Sequence, residues 1–279
     1  MPKFRRLLVL GAASSCVTAL GLFGAQSAAA ARFAPPVHIV RHIGASVNTN
    51  QSDNWSGYNI GIDYPQVKTG TLFRSISGEW VVPKATQHTK GQAEDSASWV
   101  GIGGGCVDDN CDVTDNTLIQ AGTEQDVSSA GKASYGTWWE IIPEPETSTS
   151  LAVAPGQTVR VTITESSSTP GDWSIVIKNV TTGKSFSTTT PYSSSMDTAE
   201  WIEETPLEIG TTGSGLAAMP NLGTVHFRDA TLNSANPKFT AVDEMQLTNN
   251  GAVLATPSKP NSSTNGFNDC TYKTTCAAP

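Results

Sequence analysis

From Asp53 to the C-terminus no stretch of the chain carries the 3.6-residue apolar period of an amphipathic helix. Short runs rich in Val, Ile, Thr, Trp and Phe recur instead between Gly, Pro, Ser and Asn. Such a chain has to bury its apolar side chains on sheets. The clearest run is Gln157 to Glu165, where Val159, Val161 and Ile163 alternate with Arg160, Thr162 and Thr164, one set inward and the other in water. Trp173, Ile175 and Ile177 repeat that period. Asn179-Val-Thr-Thr-Gly-Lys184 then turns the chain toward Phe186 and a Thr-rich strand, with Gly183 free to take positive φ. Further strands are expected over Thr71 to Val82, Ser96 to Ile102, Thr117 to Glu124, Ser134 to Ile142, Ala199 to Glu204, Thr224 to Leu232 and Ala241 to Thr248. The fold class implied is all-β, a double-sheet antiparallel β-sandwich.

With 279 residues, 38% apolar, the chain can bury one substantial core, so residues 53–279 read as a single β-sandwich domain. The balance of 17 Lys and Arg against 25 Asp and Glu lacks the basic footprint that a phosphate backbone requires, which excludes nucleic acid as a partner. The charge is also unevenly laid out. No Asp or Glu precedes Asp53, whereas Lys3, Arg5, Arg6, Arg32 and Arg41 do. The first three of these precede an apolar run from Leu7 to Phe23 and the small-residue stretch Ala25 to Ala31, the layout of a secretory signal peptide over residues 1–30. Ser14, Ser15, Cys16 and Thr18 interrupt the run, which is shorter than the roughly 20 residues of a membrane span. The mature protein is therefore expected to be secreted and extracellular, without a membrane partner once the signal is removed, and a monomer. Residues 31–52, with His38, His42 and Pro35-Pro36, read as a basic arm or propeptide.

Beyond Cys16, four cysteines remain as two close pairs, Cys106/Cys111 and Cys270/Cys276. An oxidising compartment favours disulfides, and of the possible pairings the local one is expected. Neither pair has CxxC spacing and no His lies nearby in sequence, which argues against zinc. The acidic segment Asp108 to Asp112 lacks the glycine and the closing glutamate of a calcium loop, because Val113 and Ile119 occupy those positions. Neither a metal nor a cofactor is expected.

Familiar nucleophile signatures are absent: there is no GxSxG elbow and no HExxH. His226 sits in an alternating strand, as a structural imidazole would, and every thiol has a disulfide mate in reach. Asp95-Ser-Ala97 and Asp197-Thr-Ala199 lack both the turn glycine and the preceding apolar strand of an aspartic-peptidase loop. What remains is a set of polar residues in aromatic strand contexts: Asn54-Trp-Ser-Gly-Tyr58, Ser98-Trp-Val-Gly-Ile-Gly103, Leu118-Ile-Gln-Ala-Gly122, Thr137-Trp-Trp-Glu-Ile-Ile-Pro143 and Thr198-Ala-Glu-Trp-Ile-Glu-Glu204.

In that order, from Asn54 to Glu204, these segments resemble the glutamic peptidases, or eqolisins, a family of secreted acid endopeptidases; the chain is similar to a bacterial-type member. The resemblance implies a concanavalin A-like sandwich and an acid endopeptidase acting on proteins or peptides. It places the catalytic glutamine at Gln120 and the catalytic glutamate at Glu200. It places cleft-lining tryptophans at Trp55 and Trp99, joined by Trp139, and a supporting acid at Glu140. The chain departs from the family at Gly103, often Asp, at Ile141 and Ile142, elsewhere aromatic, and in a longer segment from Gly103 to Leu118 than fungal members have.

The chemistry is coherent without the family name. A carboxylate of ordinary pKa near 4.3 is a competent base mainly in acid, and an amide that cannot titrate can hold water and donate to an oxyanion. A carbohydrate-binding module, or a glycoside hydrolase using Glu140 and Glu200 as paired carboxylates, is the rival reading.

Overall fold

The computed structural model describes residues 32–33, 50–210 and 213–279. The expected signal peptide and most of the basic arm lie outside the described residues. In chain order the strands are β1 (Arg32–Phe33), β2 (Asn50–Ser52), β3 (Trp55–Gly61), β4 (Ser75–Val81), β5 (Glu94–Gly103), β6 (Leu118–Val127), β7 (Ala133–Ile141), β8 (Thr147–Ser148) and β9 (Thr158–Glu165). They continue with β10 (Asp172–Asn179), β11 (Ser185–Pro191), β12 (Thr198–Glu204), β13 (Leu207–Gly210), β14 (Gly213–Leu216), β15 (Thr224–Leu232), β16 (Glu244–Asn249), β17 (Ala252–Pro257) and β18 (Phe267–Thr271).

One sheet runs in the order β11-β10-β9-β4-β15-β18-β17-β16-β3-β12-β5-β6-β7-β8, with β2 beside β16; β1, β13 and β14 form a small second sheet. The long sheet folds over on itself, so that β4 and β9 face β5 while β9 and β10 face β6. This is the expected β-sandwich. Its interior is filled by Trp80, Trp173, Trp201, Phe227, Phe239 and Phe267 with the Val and Ile residues of β9 and β10. Trp201 meets Phe239 edge-on at 4.9 Å, one of the geometries that aromatic quadrupoles favour.

The expected strands reappear with ends shifted by a few residues, and the hairpin joining β10 to β11 has Gly183 at φ 75°. The run expected from Ala241 begins instead as a 3₁₀ turn over Ala241–Asp243, because the Asp243 carboxylate accepts from the Thr240 N–H at 2.6 Å and its hydroxyl at 3.1 Å. Asn50–Ser52, at the end of the expected arm, pairs parallel with β16. Both disulfides are local, Cys106–Cys111 and Cys270–Cys276. Among the described residues no helix is long and apolar enough to cross a membrane.

β3 and β12 are neighbours in the long sheet, and both are buried along their whole length, on both faces. One face of β12 looks into the main core; the other looks onto a second apolar cluster of Trp55, Trp99, Leu118, Trp138, Ile202 and Met245. A strand covered on both sides shows no alternation, and this is why β3 has no period-2 signature.

Candidate active site

Register places five residues in one line across the second face. Asn59 of β3 pairs with Glu200 of β12, Glu200 with Gly101 of β5, Gly101 with Gln120 of β6, and Gln120 with Glu140 of β7. Paired residues share a face, so these side chains rise on the same side of the sheet. Glu200 and Gln120 stand two strand spacings apart, roughly 10 Å between backbones, and the residue between them has no side chain. A Cβ on Gly101 would come within 2.8 Å of the Trp99 ring. The gap between acid and amide is therefore bounded by the aromatic ring, with no room for a larger residue.

Gln120 is oriented from its far side. Its Nε2 donates to Glu140 Oε2 at 2.5 Å, and since an ionised carboxylate only accepts, the amide has to turn its NH₂ that way. Its Oε1 has no hydrogen-bond partner within the protein. Glu200 is fully buried, and desolvation pushes its carboxyl well above the usual range; the Thr198 hydroxyl opposes this and the charge of Asp115 adds to it.

The cover over Glu200 is the β5–β6 loop. A Cβ built on Gly105 would lie 1.7 Å from Asn59 Oδ1 and 2.6 Å from Glu200 Oε1, so only a glycine lets the loop backbone lie directly on the acid. Asn59 latches that loop with both ends of its amide. Its Oδ1 accepts from the Cys106 N–H at 3.0 Å while its Nδ2 donates to the Cys106 carbonyl at 2.9 Å and to the Tyr64 hydroxyl at 2.8 Å. Gly105 N–H donates to Thr198 Oγ1 at 3.1 Å, and the Cys106–Cys111 disulfide closes the loop on itself. The acidic tip is satisfied internally, because Asp108 accepts from the N–H groups of Asn110, Asp112 and Val113. Among the described residues no group of three or more His, Cys, Asp or Glu side chains converges as a metal site.

The apolar surroundings of the row are indoles. Trp55 and Trp99 meet edge to face at 4.9 Å, and Trp99 Nε1 donates to Glu204 Oε2 at 2.8 Å, which fixes the ring beside Gly101. His226 is exposed and shares its Nδ1 with Asn268 Oδ1 at 2.6 Å.

A family model, the peptidase A4 family, matches residues 53–267. The chain belongs to the peptidase A4 family. It is 25% identical over 232 residues to aspergillopepsin-2 of Aspergillus niger, covering 76% of each protein. Its fold is similar to that of scytalido-glutamic peptidase solved with a transition state analog inhibitor, with a TM-score of 0.59 and 22% identity over 79% of this chain and 98% of the other. It is likewise similar to SCP-B, a member of the eqolisin family solved with the tripeptide Ala-Ile-His, with a TM-score of 0.56 and 21% identity over 79% and 98% of the two chains. The A4 peptidase is thus a glutamic endopeptidase, a peptide-bond hydrolase on a β-sandwich.

In this A4 peptidase the structure brings together Gln120, Glu200, Glu140, Trp55 and Trp99, with Cys106 in the loop above them. Cys270–Cys276 lies on β18 and the tail beyond it. Trp139 is a correction. It pairs with Ala121 and packs against the main core, on the face opposite Gln120 and Glu140. The indole on the site face is its neighbour Trp138, which pairs with Gly122 and joins the cluster of Trp55 and Trp99. Trp138, Asn59, Asp115, Thr198 and Glu204 escaped sequence reading. For Trp138 a signal existed, because Glu140 and Trp138 are two apart in a strand and must share a face.

Proposed function

We propose that this A4 peptidase is a secreted acid endopeptidase that hydrolyses peptide bonds by direct attack of water, with Glu200 as general base and then acid, and Gln120 as the group that holds water and stabilises the oxyanion. The observation that carries the reading is the row Glu200–Gly101–Gln120–Glu140, in which an acid and an amide flank a residue without a side chain and the amide is oriented by a second acid.

With one N–H of Gln120 committed to Glu140, the other N–H and Oε1 remain for the reaction. Beneath the loop desolvation favours the protonated form of Glu200. When the loop lifts and water enters, hydration favours the carboxylate. The carboxylate removes a proton from water as its oxygen attacks the scissile carbonyl. The oxyanion formed accepts from the free Gln120 N–H, a type of contribution worth about 10²–10³ in rate. Glu200 then passes its proton to the leaving amine, and carboxyl and amine products depart. Trp55, Trp99 and Trp138 form the apolar floor for substrate side chains, and the tripeptide found with SCP-B supports a peptide as the occupant.

The geometry weighs against glycoside hydrolysis. Glu140 and Glu200 stand three strand spacings apart, about 14 Å along the sheet, and paired glycosidase carboxylates are closer. Export is supported by the leader pattern and the two disulfides. The mature enzyme acts as a monomer, after loss of residues 1–30. The basic arm acts as a propeptide that acid releases; the pairing of Arg32–Phe33 with Leu207 and Glu208 supports its contact with the body, while Asn50–Ser52, paired with β16, stays in the sheet.

The test is casein hydrolysis by purified, folded Glu200→Gln and Gln120→Glu variants between about pH 2 and 6, with and without an aspartic-peptidase inhibitor. Less than about a tenth of wild-type activity at every pH, with no effect of the inhibitor on the wild type, is expected. Near-normal activity in either variant breaks the assignment.

A further inference from the structure

The β5–β6 loop does more than cover Glu200; it also carries a second acid whose charge acts on Glu200. Asp115, near the end of the β5–β6 loop, is only 4% exposed. Its backbone N–H donates to the Gly105 carbonyl at 2.9 Å, so it is tied to the same residue whose backbone rests on the Glu200 carboxyl. Its side chain is built in as an acceptor. Oδ1 takes the Thr117 N–H and the Thr117 hydroxyl, both at 2.8 Å, and Oδ2 takes the Ser195 hydroxyl. Ser195 is anchored in turn by its N–H on Thr117 Oγ1 at 3.1 Å. Three donors thus hold this one carboxyl group in place.

The other titratable groups facing the pair are few. Tyr64, on the segment after β3, faces Glu200; Asp197 and Tyr192, flanking Ser195, face Asp115; Glu140 lies beyond Gln120. β3 and β5 contribute only Asn59 and Gly101 to the row. None of these is a cation, so nothing in this set offsets the negative charge of Asp115.

We propose that Asp115 is a positioning residue for Glu200: an acid carried by the β5–β6 loop and anchored by Thr117 and Ser195, whose charge sets the pH range over which Glu200 exchanges its proton. The inference rests on the catalytic role proposed for Glu200. A like charge disfavours ionisation of its neighbour, and burial of both groups leaves little water to screen it. Gly103, on the same sheet face, has no room for a carboxylate in that place: a Cβ there would come within 2.0 Å of the Thr117 carbonyl. The loop supplies the charge from above instead.

The experiment is the pH profile of kcat/KM on a fluorogenic peptide for the full-length wild type and for Asp115→Asn, Asp115→Glu and Ser195→Ala. Removing the charge should lower the apparent pKa of the acidic limb by about one unit in Asp115→Asn, while Asp115→Glu restores it toward the wild-type position. Ser195→Ala removes the donor that anchors Asp115 Oδ2, so the carboxyl is held less firmly toward Glu200 and the limb moves the same way by less; this variant carries the test if Asp115→Asn does not fold. A loop that is merely structural would change kcat or KM at a fixed limb. An unmoved limb in folded Asp115→Asn, or in Ser195→Ala where it substitutes, overturns the proposal. If Glu200→Gln is inactive in the same assay, that result leaves the role of Glu200 standing; if Glu200→Gln is active, both readings fall.

Discussion

Glu200 and Glu203 sit three residues apart on β12, on opposite faces of the same strand, and the structure treats them differently. Both are fully buried, and for both desolvation is the first cause that lifts the carboxyl well above its usual range. Glu203 looks into the sandwich interior. It accepts from Ser98 Oγ at 2.6 Å, and it is faced by Asp269, itself buried and pushed up to about 7. Glu200 looks the other way, between two glycines and beneath the β5–β6 loop, with the Thr198 hydroxyl opposing its desolvation. Burial and a raised pKa are common to the two. What separates the candidate catalyst from the buried structural acid is its place, in line with Gln120 and beneath a loop rather than inside the sandwich.

The sharpest way to break this comparison is to make the same change on each face. Glu200→Gln should lower kcat/KM by at least about a hundredfold, and Gln120→Ala by about 10²–10³, at every pH from the loss of an oxyanion donor. Glu203→Gln, read in the same peptide assay, should stay within about threefold of wild type because nothing on the core face touches substrate. Equal losses in the two glutamate variants would erase the distinction.

The next effect is on stability. A carboxyl that is raised on folding binds its proton more tightly in the native state than in the unfolded one. Its stabilising contribution is therefore complete below the unfolded pKa and is lost as pH rises through the folded value. For Asp269, and for Asp243, also pushed up to about 7 by burial, that window runs from about 4 to beyond 7. Each carboxyl contributes up to about 4 kcal/mol across it. Circular dichroism melts should give a lower midpoint at pH 8 than at pH 4, and Asp269→Asn or Glu203→Gln should flatten the slope. Glu200→Gln shares the sign, since its carboxyl is raised as well; a midpoint rising toward pH 8 in the wild type would contradict the burial account. The surplus of Asp and Glu over Lys and Arg acts in the same direction, since self-repulsion grows as carboxylates ionise.

The smallest effect contrasts the two faces of β7. Trp138→Ala should raise KM for peptides several-fold with a smaller change in kcat, whereas Trp139→Phe, a conservative change on the core-facing side, should leave both near wild type. The reverse outcome would return Trp139 to the cleft.

Much of the sandwich was legible because one-sided burial writes itself as alternation: β9 and β10 are read almost to the residue. β3, β17 and β18 were not. The first is buried on both faces, and the last carries Asn268 and Asp269 inside, where a pattern of apolar and polar residues points the wrong way. Gln120 and Glu200 were legible only through an ordered resemblance, since a lone Gln and a lone Glu in strands have no local signature. Asn59 and Asp115 could not be read at all. Their roles depend on which residues of distant strands lie opposite one another and on where a loop lands, and register is a property of the assembled sheet. The Trp138/Trp139 error has the same origin: adjacent residues in a strand face opposite ways, and the doubled tryptophan hides the step.

The order of strands also governs when in the life of the chain activity can arise. β12 inserts between β3 and β5, and its site-face partners Asn59, Gly101, Gln120 and Glu140 all precede it in the chain. During synthesis the glutamine side of the site is complete before Glu200 has been added. With the roles proposed for Glu200 and Gln120, no chain made only as far as β11 holds acid and amide together, and proteolysis waits for the strand that closes the middle of the sheet.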